Sequence, residues 1–229
     1  MKLMIILLCL FSERFLIHSV SYQRFYWFED YYLFMKKVAE KNVFFTHSWA
    51  LFALIVLPIL FSTAFIYILL HGVFYGFMGL LLSIVLFFYC LGPQNVFYPV
   101  TYSENESANQ LAGDYFARVN QQLFSVVFWY IIAGPIVVVA YRLIALCRNI
   151  APISVQANEI TDLLEWIPAR LTVLLFLLVG NFQQGLQSFL RYFCAKPDLN
   201  NEMLRECGLL AARTNGTGTQ EVSMPVAEE

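Results

Sequence analysis

The chain has 229 residues, a formal net charge of -2, 59% hydrophobic residues and only 13% charged ones. A soluble domain carries about 25% charged residues, so a mean hydropathy of +0.63 excludes one buried core under a wet surface: too little polar side chain exists to cover it. The slightly acidic balance also lacks the basic face that a nucleic-acid partner requires. With 22 Phe and 13 Tyr, the composition predicts an all-α, multi-pass helical membrane protein whose partner is the lipid bilayer.

In chain order, an apolar run follows Lys2 and meets Ser12-Glu13-Arg14 with no small-x-small cleavage site. It therefore reads as a retained apolar helix over about residues 3–19. Residues 20–47 mix Tyr22, Phe25, Tyr26, Trp27, Tyr31 and Tyr32 with Arg24, Glu29, Asp30, Lys36 and Lys37. Amphipathic aromatics among mixed charges suit the headgroup zone and predict an interfacial amphipathic helix.

Four transmembrane spans follow, at about 48–70, 73–91, 123–146 and 166–182. The first two form a hairpin around His71-Gly72, and Gly92-Pro93 closes the second. Residues 94–122 are polar, carry Glu104, Glu106, Asp114 and Arg118, and predict an extramembrane segment ending in an amphipathic helix near 109–122. The third span is interrupted by Gly134-Pro135. Residues 158–165 read as a short amphipathic helix, with the fourth span starting at Trp166 and containing Pro168 and Arg170. Residues 1–190 thus make a helical membrane domain, 191–213 a cytoplasmic amphipathic segment and 214–229 a disordered tail. Asn105-Glu106-Ser107 and Asn215-Gly216-Thr217 match the glycosylation pattern, which is common by chance.

Arg24, Lys36, Lys37 and Lys41 precede the first strong span and place residues 20–47 in the cytoplasm, with Arg191, Lys196, Arg205 and Arg213 on the same side. That span count puts Arg142 and Arg148 at the far side, against the rule. Ionisable groups inside apolar helices are costly and so mark candidate sites. They are Glu13 and Arg14, Tyr141 and Arg142, Asp162 and Glu165, and Arg170 with Trp166 and Pro168 beside it. On a regular helix Glu165 and Arg170 are about 140° apart and do not pair, whereas Trp166 and Arg170 are neighbours able to stack. Arg170 then needs a partner from another helix, and Glu13 is the best acidic one. Pro168 predicts a helix start or kink.

Gly134-Pro135 through Ala140-Tyr141-Arg142, followed by Asp162-Leu163-Leu164-Glu165-Trp166-Ile167-Pro168-Ala169-Arg170-Leu171, resembles a pair of motifs shared by two related families. One is AmpE, an inner-membrane accessory family named for β-lactamase regulation. The other is the cobalamin-biosynthesis enzyme adenosylcobinamide-phosphate synthase. Leu7 to Phe15, with Glu13-Arg14, resembles the AmpE amino-terminal signature, and the similarity covers about residues 1–190. The resemblance implies a multi-pass protein of the bacterial inner membrane, linked to β-lactamase regulation and peptidoglycan recycling, with a regulatory or cell-wall-recycling protein as partner. The cobalamin enzyme's acidic motif falls where this chain reads Arg118-Val119-Asn120-Gln121-Gln122-Leu123-Phe124-Ser125. No carboxylate is left there, which favours a non-enzymatic role. The alternative is a membrane enzyme joining an amine to a cobalamin or cell-wall precursor, with Arg142 and Arg170 holding a phosphate or carboxylate.

No GxGxxG, Walker, HExxH or GxSxG motif occurs, and His18, His47 and His71 share no helical face. Five widely spaced cysteines, Cys9, Cys90, Cys147, Cys194 and Cys207, form no CxxC pair and read as reduced, mostly buried thiols. Neither a metal nor a cofactor is expected.

Overall fold

The computed structural model describes residues 2–16, 25–40, 47–71, 77–91 and 108–212, with side chains at all of these except 11–16, 71, 108–111 and 184. Every regular element among the described residues is helical. The predicted tail at 214–229, both glycosylation matches, Gly72 of the predicted His71-Gly72 joint and residues 92–107 lie outside the described residues. Two compact units emerge, one from residues 1–95 and 126–161, the other from 96–125 and 162–229.

The first unit contains α1 (Lys2–Leu16), α2 (Tyr26–Ala39), α3 (Ser48–His71), α4 (Phe77–Cys90), most of α6 (Ser125–Ala133), α7 (Pro135–Cys147) and the start of α8 (Ser154–Val179). α3 is the one described helix long and apolar enough to cross a membrane: 23 residues, 48–70, of which 11% of the most apolar stretch is buried. Phe61, Phe65 and Ile68 are each about 70% exposed. Pro58 stands inside it, and the Thr63 hydroxyl donates to the carbonyl of Ile59 at 2.9 Å, a local satisfaction that apolar surroundings demand. The described part of α4 and the whole of α7 are apolar but shorter.

The apolar run over 123–146 is divided at Gly134, where the sequence places its interruption. Its φ of +87° belongs to the region that only glycine enters readily. Its N–H reaches the carbonyls of Trp129 and Tyr130 at 3.2 and 3.1 Å, ending α6, and Pro135 opens α7 with the φ a first helical turn requires.

Within this unit the ends of α4 and α7 both meet α2. Phe25 packs edge-on to Tyr89 of α4 at 5.1 Å, and Trp27 donates its indole N–H to the Tyr89 hydroxyl. The guanidinium of Arg142 lies over the Phe25 ring at 5.3 Å. Tyr31 donates to the carbonyl of Ile55 in α3 at 3.0 Å. Arg142 therefore sits at the α2 end of the unit, not at the opposite end that a four-span count gives. A helix does form in the stretch 20–47, as α2, with Phe28 and Ala39 buried.

The second unit contains α5 (Ala108–Val119), a π-helical turn over Asn120–Phe124, the rest of α8, α9 (Phe182–Tyr192), a 3₁₀ turn at Pro197–Leu199 and α10 (Asn200–Ala212). Here one expectation is corrected. Residues 158–165 and 166–179 are one unbroken α8, with Pro168 inside it rather than at a start. Within the stretch 191–213, Met203, Leu204, Cys207 and Ala211 of α10 join Ala169, Val173, Leu177 and Phe189 in one buried core. Burial of about 1.5–3 kcal/mol per large apolar side chain makes α10 integral to this unit.

α10 approaches α5 closely because small residues line the contact. A Cβ on Gly208 would meet the Phe116 ring at 2.5 Å, and one on Gly113 would meet Arg205 Cβ at 3.2 Å. Arg205 also pairs with Asp114 at 2.7 Å. Burial pushes the Cys207 thiol from its ordinary 9.0 up to about 12, with Glu206 adding in the same direction. Tyr192 is likewise raised, because its hydroxyl donates to the Glu206 carboxylate at 2.9 Å. A folded pKa above the unfolded one means this contribution to stability is whole below pH 9 and disappears as pH climbs toward 12. At pH 8 a small alkylating reagent is expected to modify exposed Cys194 rapidly and Cys207 only on unfolding. Equal rates at the two thiols, read by mass spectrometry, would refute this packing of α10.

Candidate functional site

The feature built with most care around a charge is Arg170 in α8. Trp166 lies one turn earlier, and the guanidinium stands 4.0 Å from its ring centroid, the stacking expected from the spacing. Every N–H of the guanidinium has a specific acceptor. Nε donates to the carbonyl of Phe193 at 2.7 Å. Nη1 donates to the carbonyl of Trp166 at 2.7 Å and to Asn200 Oδ1 at 3.0 Å. Nη2 donates to the carbonyls of Tyr192 at 3.3 Å and Ala195 at 3.0 Å. An arginine has five N–H donors, and all five are used.

These acceptors cluster for a physical reason. Tyr192 ends α9, and the last carbonyls of a helix have no intrahelical donor and carry the negative end of its dipole. A cation at that end is favourable, and Arg170 supplies it from α8. The Trp166 indole N–H also donates to Ala195 at 3.1 Å, so Trp166 and Arg170 together fasten the turn between α9 and α10. Asn200 completes the joint by donating to the carbonyl of Asp162 at 2.8 Å. Among the described residues neutral oxygens take all five donors of Arg170, and the side chain of Glu13, the acidic partner expected for it, lies outside the described residues.

A second polar group was not anticipated. Asn120 opens the π turn and is fully buried. Its Oδ1 accepts from the hydroxyl of Thr172 in α8 at 2.8 Å. Asn120 Nδ2 and the Ser125 hydroxyl, both buried, have no hydrogen-bond partner among the described residues. Single π turns recur at functional sites because they re-aim side chains. No charge marked Asn120, Ser125, Thr172 or Asn200 in the sequence, and only Ser125 and Thr172, polar residues beside apolar runs, carried a local signal.

The remaining candidates are distributed as follows. Tyr141 and Arg142 are buried in the first unit, Arg142 being 6% exposed. Asp162 is half-buried, and Glu165 and Pro168 are buried, all within α8. The side chains of Glu13 and Arg14 lie outside the described residues. The structure thus brings Trp166, Arg170 and the Asp162 carbonyl together, and assigns Tyr141 and Arg142 to the other unit. Among the described residues no three His, Cys, Asp or Glu side chains converge as a metal site. No protein-family model, curated protein or solved structure matches this chain.

Proposed function

We propose that the chain is a multi-pass protein of the bacterial inner membrane with an accessory or signalling role of the AmpE type. The observation that carries the membrane part is α3, whose long apolar surface is left largely uncovered; a water-facing helix with Phe61, Phe65 and Ile68 exposed would aggregate. Because α4 and α7 end at the same end of their unit, this reading takes an even number of crossings between residues 91 and 147. It also returns Arg142 and Arg148 to the side of Lys36 and Lys37, in keeping with the positive-inside rule.

The accessory part rests on the resemblance of the Tyr141-Arg142 and Trp166–Arg170 motifs and on the lack of a carboxylate over residues 118–130. Arg170 is already committed to five acceptors, so gripping a substrate phosphate would mean surrendering the α9–α10 turn. That weighs against the alternative, an enzyme joining an amine to a cobalamin or cell-wall precursor. The polar groups instead fix helix packing, and a ligand or partner acts by shifting that packing.

Two measurements test the reading. The protein is expected to stay with membranes after alkaline carbonate washing; release into the supernatant would sink the membrane assignment. Deleting the gene is expected to change β-lactamase induction and muropeptide levels, with no effect on cobalamin synthesis. Unchanged induction together with a cobalamin requirement would favour the enzyme.

A further inference from the structure

A groove of about 760 Å³ opens in the first unit between α2 and the turn that follows α7, lined by Phe25, Tyr32, Leu33 and Ile150 with Glu29, Lys36 and Asn149 at its polar edge. We infer that it holds the headgroup of an amine-bearing zwitterionic phospholipid, of the phosphatidylethanolamine class. This rests on the membrane reading above.

The charges on α2 carry the choice of occupant. Glu29 and Lys36 are seven residues apart, hence on one face and about 10.5 Å apart along the axis. Both are exposed, and neither enters an ion pair among the described residues. A direct surface pair between them would contribute little. One cation and one anion flanking an aromatic ring complement a ligand that carries both charges. Lys36 meets the phosphate as a point charge, Glu29 accepts from the ammonium, and the Tyr32 ring between them offers its face to the same cation. An anionic lipid would find a single lysine opposed by a carboxylate. The volume falls within the range of about 300–1,000 Å³ usual for small-ligand sites, and Leu33 and Ile150 give the glycerol end an apolar wall. The ends of α4 and α7 meet α2 at this level, so the groove opens where the helices leave the hydrocarbon and a headgroup lies.

The test uses the full chain, purified in detergent, delipidated and examined by native mass spectrometry. Phosphatidylethanolamine is expected to bind at one copy per chain, at least fivefold more tightly than phosphatidylglycerol. Glu29→Gln and Lys36→Gln, both at exposed positions, are each expected to remove that preference, and Tyr32→Ala to weaken binding of either lipid. Equal or tighter binding of phosphatidylglycerol, or ethanolamine-lipid binding unmoved by Glu29→Gln and Lys36→Gln, would overturn the assignment. A chain that fails carbonate washing sinks the membrane reading itself; a membrane-embedded chain without lipid preference sinks only this inference.

Discussion

Arg170→Ala is expected to destabilise the protein by about 3–5 kcal/mol, the largest effect of any single substitution considered. Removing the guanidinium strips the carbonyls of Tyr192, Phe193 and Ala195, together with Asn200 Oδ1, of their donor. It also unstacks Trp166. Hydrogen bonds to a charged group are worth about 1.5–3 kcal/mol each, and water replaces only part of what the half-buried carbonyls left behind lose. Arg170→Lys keeps the charge yet has three donors and no planar face, so about half of the loss should remain. Denaturation of the detergent-solubilised chain, followed by tryptophan fluorescence with Trp166 as a reporter, reads both variants. Proteolysis at the 193–196 turn should accelerate in parallel. If Arg170→Ala kept wild-type stability while altering β-lactamase induction, the guanidinium would be a ligand contact and its fastening role would be lost.

Gly180→Ala is expected to cost about 2–3 kcal/mol, against the usual near-neutrality of adding a methyl after a helix. The new Cβ would collide with the main-chain carbonyl oxygen of Ala211 and come within 2.9 Å of its carbonyl carbon. A flexible side chain could move aside; backbone cannot without moving α10. The same carbonyl accepts the N–H of Asn181 at 2.9 Å, so relieving the clash breaks a bond that ties the end of α8 to the end of α10. The denaturation midpoint should fall, and hydrogen exchange over 200–212 should rise. A variant at least as stable as wild type, with exchange unchanged, would refute the close approach.

Helical character, the long apolar α3 and the break at Gly134-Pro135 were legible because each depends on local rules. Apolar run length gives the first two, and the pairing of a permissive glycine with a helix-starting proline gives the third. The Trp166–Arg170 stack was legible for the same reason, being set by one turn of helix. Asn120 and Thr172 were not: they are 52 residues apart and uncharged, and no periodicity links them. Of the start or kink that Pro168 predicts, the start is excluded, since it lies inside α8. Its lost N–H removes one hydrogen bond, and burial along both sides of it in α8 outweighs that loss.

The sequence by itself determined an all-helical chain with too few charges to solvate itself, and it determined which ionisable groups would be expensive to bury. Only the tertiary structure decided what compensates them. Arg170 is met by main-chain carbonyls, which every residue carries and no motif can announce, and they converge because α9 happens to end beside α8. The core role of α10 has the same origin: its stripe of Met203, Leu204, Cys207 and Ala211 fixes which face is buried, while the path of the chain fixes against what.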